Sequence, residues 1–424
     1  MSQIDRGPIL CVRLMTLLLT VALSNPIVLA ASDPIELWSE GPHLRGANIW
    51  QRIVVPELDG PRFLGGSHVG PPVTGDDFLR LADLGANLVV LSHPGLYTER
   101  PPYRLDEAVQ ANLDRLVDAA GRAGLFVVIA FRTGPGRSDF TFYRDGAGDW
   151  FDPGLLVETV WASMDAQAAW AAMWRHTAAR YRNRTWVIGY ELMVEPNGAH
   201  VIHSIWDPAD FYPRFAETSV DWNTFYPRIV RAVRAVDPIT PILVGPMGWS
   251  SIEWLPFLRP VDAPRIVYTV HQYAPQAYYT HQEPDGKHEY PSRFDLDGDG
   301  TADRFDAHWL AERLEAGEAF REEHRVPVAI TEFGVKRWVP GAASFLADQM
   351  SLFEALGLNY ALWAFYPNWP PIVAIDDFDP LHGPDPALHT DTESDLLEVI
   401  LSAWSRNVQR SAIPTSAESS LSRP

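Results

Sequence analysis

Two glutamates in this chain stand where chemistry would need them. Residues 186–197 begin as an apolar run and end in a carboxylate, a proline and an amide, Glu195-Pro196-Asn197. Such a run suits a buried parallel strand. Pro196 cannot donate a ladder hydrogen bond and marks the strand's end. Period-two alternation puts Glu191, Met193 and Glu195 on one face. A second short apolar run, 326–331, leads directly into Glu332. Two carboxylates aimed into one interior are expensive unless they serve something. The chemistry that uses such a pair is cleavage of a glycosidic bond. One group, protonated, donates to the leaving oxygen; the other, ionised, attacks or activates water. A separation of about 5–5.5 Å would imply retention through a covalent intermediate.

The rest of the chain supplies the elements that must hold this pair. From residue 40 onward, short apolar runs alternate with amphipathic segments. Strands are expected at 43–50, 87–91, 125–131, 186–195, 242–245, 266–271, 326–331 and 360–365. Helices are expected at 76–84, 105–123, 156–181, 222–236, 307–324, 342–356 and 393–406, with 197–220 as an aromatic- and proline-rich loop. Strands alternating with helices imply a parallel α/β architecture. Eight such units fit a closed (β/α)8 TIM barrel, here one domain over 32–408. Glu195 and Glu332 then end the fourth and seventh strands, facing each other at the carboxyl-terminal mouth where such barrels keep their chemistry.

Residues 1–31 read as a secretory signal. Arg6 and Arg13 give the positive start, residues 14–23 the apolar centre, and Val28-Leu-Ala30 the cleavage site. The protein is therefore expected to be secreted or extracytoplasmic, with no membrane attachment after removal of this segment. The only cysteine, Cys11, lies within it, which leaves the mature chain no thiol chemistry. A formal charge of −20 argues against a nucleic-acid partner. Residues 409–424 read as a disordered tail, and the protein is expected to be a monomer.

One further motif needs oxygen chemistry. Asp295, Asp297, Asp299, Thr301, Asp303 and Asp306 occupy positions 1, 3, 5, 7, 9 and 12 of a loop with Gly300 at position 6. That is the spacing of an EF-hand-type calcium loop. Its terminal aspartate resembles dockerin-type loops. The expectation is a structural Ca²⁺ that orders the segment after the sixth strand, with no cofactor for catalysis.

Five motifs together resemble glycoside hydrolase family 5, the cellulase-type barrels. They are Leu44-Arg-Gly-Ala-Asn48, Glu195-Pro196, His271-Gln-Tyr273, Ile330-Thr-Glu-Phe-Gly334 and Trp363. The resemblance implies a carbohydrate substrate, Glu195 as acid/base and Glu332 as nucleophile. It implies Tyr273 beside the nucleophile, His271 tuning the proton balance, Asn48 among the substrate-binding residues, and Trp363 under the sugar being cleaved. Three positions depart from the family pattern. Val194 replaces the asparagine before the acid/base, with Asn197 as the nearest substitute. Ser92 and His93 stand where the second strand should end in arginine. Arg132 replaces the histidine of the third strand and is a candidate for the missing cation. Trp50, Trp249, Trp254 and Trp369 are candidate sugar platforms. The Val194 and Arg132 departures leave open a sugar-binding barrel without turnover; the other alternative is a non-glycosidase metal hydrolase on the same scaffold. The latter would need a His/Asp ligand set that the sequence does not display.

Overall fold

The computed structural model describes residues 27–28, 33–39, 41–60, 63, 68–296, 298–366 and 377–412. Within them, eight parallel strands close on themselves. They are β1 (Arg45–Trp50), β2 (Leu88–His93), β3 (Phe126–Phe131), β4 (Val187–Glu191), β5 (Ile242–Val244), β6 (Ile266–Gln272), β7 (Val328–Phe333) and β8 (Asn359–Leu362). Their order around the barrel follows the chain, and β8 pairs back onto β1. The strands are buried on both faces, which is why they read as continuous apolar runs.

Helices pack outside: α1 (Gly75–Asp83), α2 (Glu107–Arg122), α3 (Met164–Tyr181), α4 (Trp222–Arg234), α5 (Ala307–His324), α6 (Ala342–Ala355) and α7 (Asp395–Trp404). The crossover from β5 to β6 uses a 3-10 turn, Ile252–Phe257. In α2, the Asp106 side chain caps Ala108 N and Val109 N, and Val109, Leu113, Leu116, Val117 and Ala120 form the buried stripe. The core has two layers. Leu44, Val90, Val128, Ile188, Leu243 and Ala361 help fill the barrel interior. A larger apolar layer separates the barrel from the helices.

Several boundaries differ from the sequence expectation. The segment 156–163 is not helical with α3; it holds a 3-10 turn, Thr159–Trp161, and Ser163 caps α3 at Ala166 N. The expected loop 197–220 contains two short helices, Gly198–His203 and Pro208–Phe215. β4 ends at Glu191, so the alternation does not reach Glu195. Met193 packs in the outer layer, whereas Val194 turns into the barrel interior. The fold also continues past residue 408. Ser411 is buried and its N–H donates to Gly124 O, and the backbone of Gln409–Arg410 runs parallel to Ile27–Val28. Most of the expected signal segment and residues 413–424 lie outside the described residues. Among the described residues, no helix is long and apolar enough to cross a membrane.

The amino-terminal end of the barrel is closed by two buried amides. Asn359 Oδ1 accepts from His43 N and Leu44 N, both at 2.8 Å, and its Nδ2 donates to Leu37 O. Asn87 Oδ1 accepts from Arg45 N, and its Nδ2 donates to His43 O. Asn359→Ala would strand two backbone donors at the β8–β1 seam. A loss of about 2–4 kcal/mol is expected, read as a lowered midpoint in urea unfolding. An unchanged midpoint would mean that water replaces the amide there.

Candidate active site

The carboxylates meet around one histidine. The β7–β6 ladder slips between Ile330 and Glu332, which sets Glu332 beside His271. His271 Nδ1 lies 2.8 Å from Glu195 Oε1 and 3.4 Å from Glu332 Oε2; its Nε2 lies 3.7 Å from Glu191 Oε1. One ligand atom each from Glu195, His271 and Glu332 fall within 4.8 Å of one another. That is closer than the roughly 6.5–9.5 Å needed to seat a water between the carboxyls, and it suits direct attack. Tyr273 OH donates to Glu332 Oε2 at 3.1 Å, and Thr331 Oγ1 donates to Glu191 Oε1 at 3.1 Å.

Burial sets the electrostatics of this group, and its neighbours correct it. Burial pushes Glu332 up to about 7; the charges of Glu195 and Glu191 add to this, against His271 and Arg132. Burial alone would raise Glu195 too. The hydrogen bond and charge of His271, with Arg132 and Arg137, hold it below the usual glutamate range instead. Burial disfavours the His271 cation, but the carboxylates around it raise its pKa to about 10. The site is therefore an imidazolium enclosed by carboxylates, and the pair beside it titrates as a unit. Burial and the mutual repulsion of the two carboxylates favour one proton held between Glu195 and Glu332.

Backbone geometry aims Glu195. Its φ is 55°, in the left-handed region, which costs a non-glycine residue about 1–3 kcal/mol. Buried Arg137 holds this turn by donating to Val194 O at 2.6 Å and Glu195 O at 2.8 Å. The loop after β5 ties the neighbouring tips together. Gly248, Trp249 and Ser250 are all left-handed; Trp249 N donates to Pro196 O, and Ser250 O accepts from His271 N.

The structure sorts the other expected residues. Arg132 lines the cleft, with Nε 3.2 Å from Asp139 Oδ1 and its guanidinium 3.8 Å above the Phe142 ring and 5.1 Å from Trp363. Despite burial, Asp139, Glu332 and Glu195 hold it firmly charged, so the third strand does bring a cation to the carboxylates. His93 turns away from the cleft. Its Nδ1 lies 2.7 Å from Pro94 O, and burial lowers its pKa to about 4. Two expected sugar ligands are misplaced. Asn197 is fully buried, accepting from Trp161 Nε1 and donating to Thr141 Oγ1, and burial keeps its amide from a sugar in the cleft. Asn48 is also fully buried and donates to Thr331 O, bracing β7 from beneath Glu332.

The cleft over these groups has a volume of about 810 Å³. Trp363, Trp50, Trp249 and Trp254 line it as expected, and Trp369 lies outside the described residues. Trp150, Trp206, Phe142 and Tyr143 also line it and were not foreseen. Trp206 falls in the 197–220 stretch, whose aromatic content was the available signal.

The acidic loop lies on a hairpin. Ser292–Phe294 pairs antiparallel with Asp303–Phe305, so a strand and not a helix precedes the loop. Asp295 accepts from Gly298 N and Gly300 N, and both glycines are left-handed. Asp299 accepts from Thr301 N, and Asp303, paired with Phe294 at the neck, accepts from Leu296 N. Asp297 lies outside the described residues. Asp306 is a correction. It follows Phe305, which pairs with Ser292 at the far end of the hairpin, and its carboxylate caps α5 and pairs with Arg304. It belongs to the helix rather than to the loop.

A closed (β/α)8 barrel with a carboxylate pair at facing strand ends is the architecture of the cellulase-type barrels. Residues 61–369 match cellulase (glycosyl hydrolase family 5), and the chain belongs to that family. Among curated relatives it is similar to a β-xylosidase of Phanerodontia chrysosporium, with 26% identity over 30% of this chain and 21% of that protein. Endoglucanase 3 of Fibrobacter succinogenes is 24% identical over 47% of this chain and 33% of its own length. The chain thus spans a third or less of these two relatives. In fold it resembles endoglucanase Cel5A of Thermotoga maritima, with a TM-score of 0.58, 18% identity and coverage of 87% of this chain and all of that one. Cel5A of Pseudomonas stutzeri, solved with cellobiose, gives 0.59, 19%, 87% and 94%.

The electrostatics predict a pH signature. Removing the His271 cation favours the protonated form of the neighbouring carboxylates. His271→Asn should therefore move the loss of the shared proton upward from about 7. Carboxylate infrared difference spectra across a pH titration would read this. An unmoved transition would mean that His271 carries no charge in the folded protein.

Proposed function

We propose that this chain is a secreted retaining glycoside hydrolase acting on a β-linked glucan, mannan or related oligosaccharide. The observation that carries this is the Glu195–His271–Glu332 cluster within 4.8 Å at the floor of an aromatic cleft. Endoglucanases recur among the relatives, and the Thermotoga maritima barrel has been solved with both cellobiose and mannotriose. The pattern of residues 1–31 supports secretion.

In the first step a Glu332 oxygen attacks the anomeric carbon. The bond to the leaving oxygen breaks, and Glu195 gives that oxygen its proton. In the second step Glu195 takes a proton from water, the water oxygen attacks the same carbon, and Glu332 is released. The first step needs the shared proton on Glu195. His271 Nδ1, between the two carboxyls, is placed to pass its proton to Glu195 and to be reprotonated from Glu332. Tyr273 then supports the Glu332 anion. Trp363 lies within reach of the same floor and offers an apolar face to the sugar under attack. We also propose that the hairpin loop holds one calcium ion through Asp295, Asp297, Asp299, Asp303 and the Thr301 carbonyl, a hard-oxygen set suited to that ion.

Two experiments test these readings. The protein, Glu332→Ala and Glu195→Ala are assayed on aryl β-glycosides and β-glucans. Azide should restore turnover in the Glu332 variant with an inverted glycosyl azide. Glu195→Ala should lose about 10²–10⁴-fold on substrates with poor leaving groups. Sugar binding without turnover in the unaltered protein would sink the catalytic reading. For the loop, millimolar calcium should raise the unfolding temperature by several degrees relative to chelator, and Asp295→Ala should abolish the difference. Equal temperatures in the unaltered protein would remove the calcium.

A further inference from the structure

Trp206 is the most exposed large hydrophobic side chain but one among the described residues, at 63%, yet it belongs to the wall of the cleft. An indole left open to water forgoes the gain from burying its apolar surface, so its exposure calls for a reason. It is not a loose loop tip. It lies between the helices 198–203 and 208–215, the first ended by left-handed Ser204 and the second capped by Asp207 at Ala209 N. The Trp206 carbonyl accepts from Trp254 Nε1 at 3.1 Å. Its ring rests on the His200 ring at 3.7 Å, tilted by 37°. Burial and Arg144 lower the pKa of His200, which keeps that ring uncharged near neutral pH.

From Trp206 a run of flat surfaces leads back to the carboxylates. His200 is 5.9 Å from Trp249, and Trp249 is 5.8 Å from Phe142. Phe142 carries the Arg132 guanidinium at 3.8 Å, and that group lies 5.1 Å from Trp363. In the reading above, the ring under attack sits by Glu332 and Trp363, and Glu195 marks the scissile oxygen. A chain that crosses from Trp363 past Glu195 continues over Trp249 and then to Trp206.

We propose that Trp206 forms a distal subsite on the leaving-group side, taking the apolar face of a pyranose ring beyond the first leaving-group unit of a β-linked oligosaccharide. Aromatic rings present an apolar body and a rigid surface at small entropic cost, which suits a ring with C–H groups on its face. The proposal rests on the glycosidase reading and adds to it. The substrate is a chain that extends well past the scissile bond, and a short aglycone would leave the outer platform unused.

The test compares cellohexaose and mannohexaose with p-nitrophenyl β-cellobioside and β-mannobioside, whose leaving group ends at one small ring. For the hexaose that the unaltered enzyme cleaves faster, Trp206→Ala should lower the ratio of kcat/KM on hexaose to kcat/KM on the matching aryl glycoside by roughly five- to tenfold. Trp206→Phe, which keeps a flat face, should retain most of the ratio. Released products should also shift, with fewer cuts that leave two or more units on the reducing-end side. A ratio unchanged within about twofold overturns the subsite, because both substrates then see the same residue. Equal loss on both substrates, or loss in Trp206→Ala and Trp206→Phe alike, makes Trp206 a structural prop of its loop and overturns it as well. An unaltered enzyme that cleaves the aryl glycosides but neither hexaose overturns the extended subsite and spares the glycosidase reading. No turnover on any of the four fails that reading itself.

Discussion

The hydrogen bond between His271 and Glu195, with Glu332 and Glu191 close around the same ring, is the constraint on which the rest of the structure turns. Bringing several carboxylates out of water is costly, and the cost is met only if positive groups reach them in good geometry. An imidazolium supplies the centre and two guanidiniums, Arg132 and Arg137, the flanks. Glu191, Glu195, Glu332 and Asp139 formally outnumber these three cations by one. A single proton shared between Glu195 and Glu332 balances the cluster, and one proton on two carboxyls is the state that acid–nucleophile chemistry requires.

The barrel assembles this group from four different strand ends. Glu195 comes from beyond β4, His271 from β6, Glu332 from β7 and Arg132 from the end of β3. The turn at Gly248–Ser250 locks the tips of β4 and β6 to each other through backbone bonds rather than side chains. Arg137 does the same for the peptide of Glu195, whose left-handed geometry would otherwise relax. The stability of the barrel is invested at the opposite end, in Asn87 and Asn359, where no chemistry competes for the amides. The division between a working face and a stabilising face is the usual one for this architecture.

The departures from the family pattern make sense in the same terms. What the carboxylates need is a positive charge at the right place, and the strand that delivers it matters less. Arg132 delivers it from β3 while His93, at the end of β2, stays neutral and turned away. Val194 in place of an amide is accommodated because that side chain fills the barrel interior beneath the site. The acidic hairpin stands apart from this economy. It is joined to α5 through Asp306 and contributes nothing to the wall around Glu195 and Glu332.

The sequence by itself determined the barrel and the strand that bears each catalytic candidate, and the family resemblance added Tyr273 beside Glu332. The barrel and its strands rest on local pattern: apolar runs of strand length, amphipathic segments between them, and glutamates that end an otherwise buried run. Tertiary structure alone decided the rest, because it depends on which way a side chain turns once its neighbours are present. Asn48 and Asn197 look like sugar ligands in the sequence, yet both are fully buried, Asn48 donating to Thr331 O and Asn197 bonded to Trp161 and Thr141. Asp306 has the spacing of a loop ligand, but strand pairing carries it to the other end of the hairpin. Glu195 left the alternation of its strand because β4 stops at Glu191, and the backbone then turns left-handed to aim it. Trp206 joins the cleft wall from the bend between two short helices that its sequence did not announce. Spacing along a chain reports which element a residue belongs to; whether its polar atoms remain free for a ligand is settled by the contacts it makes in the folded structure.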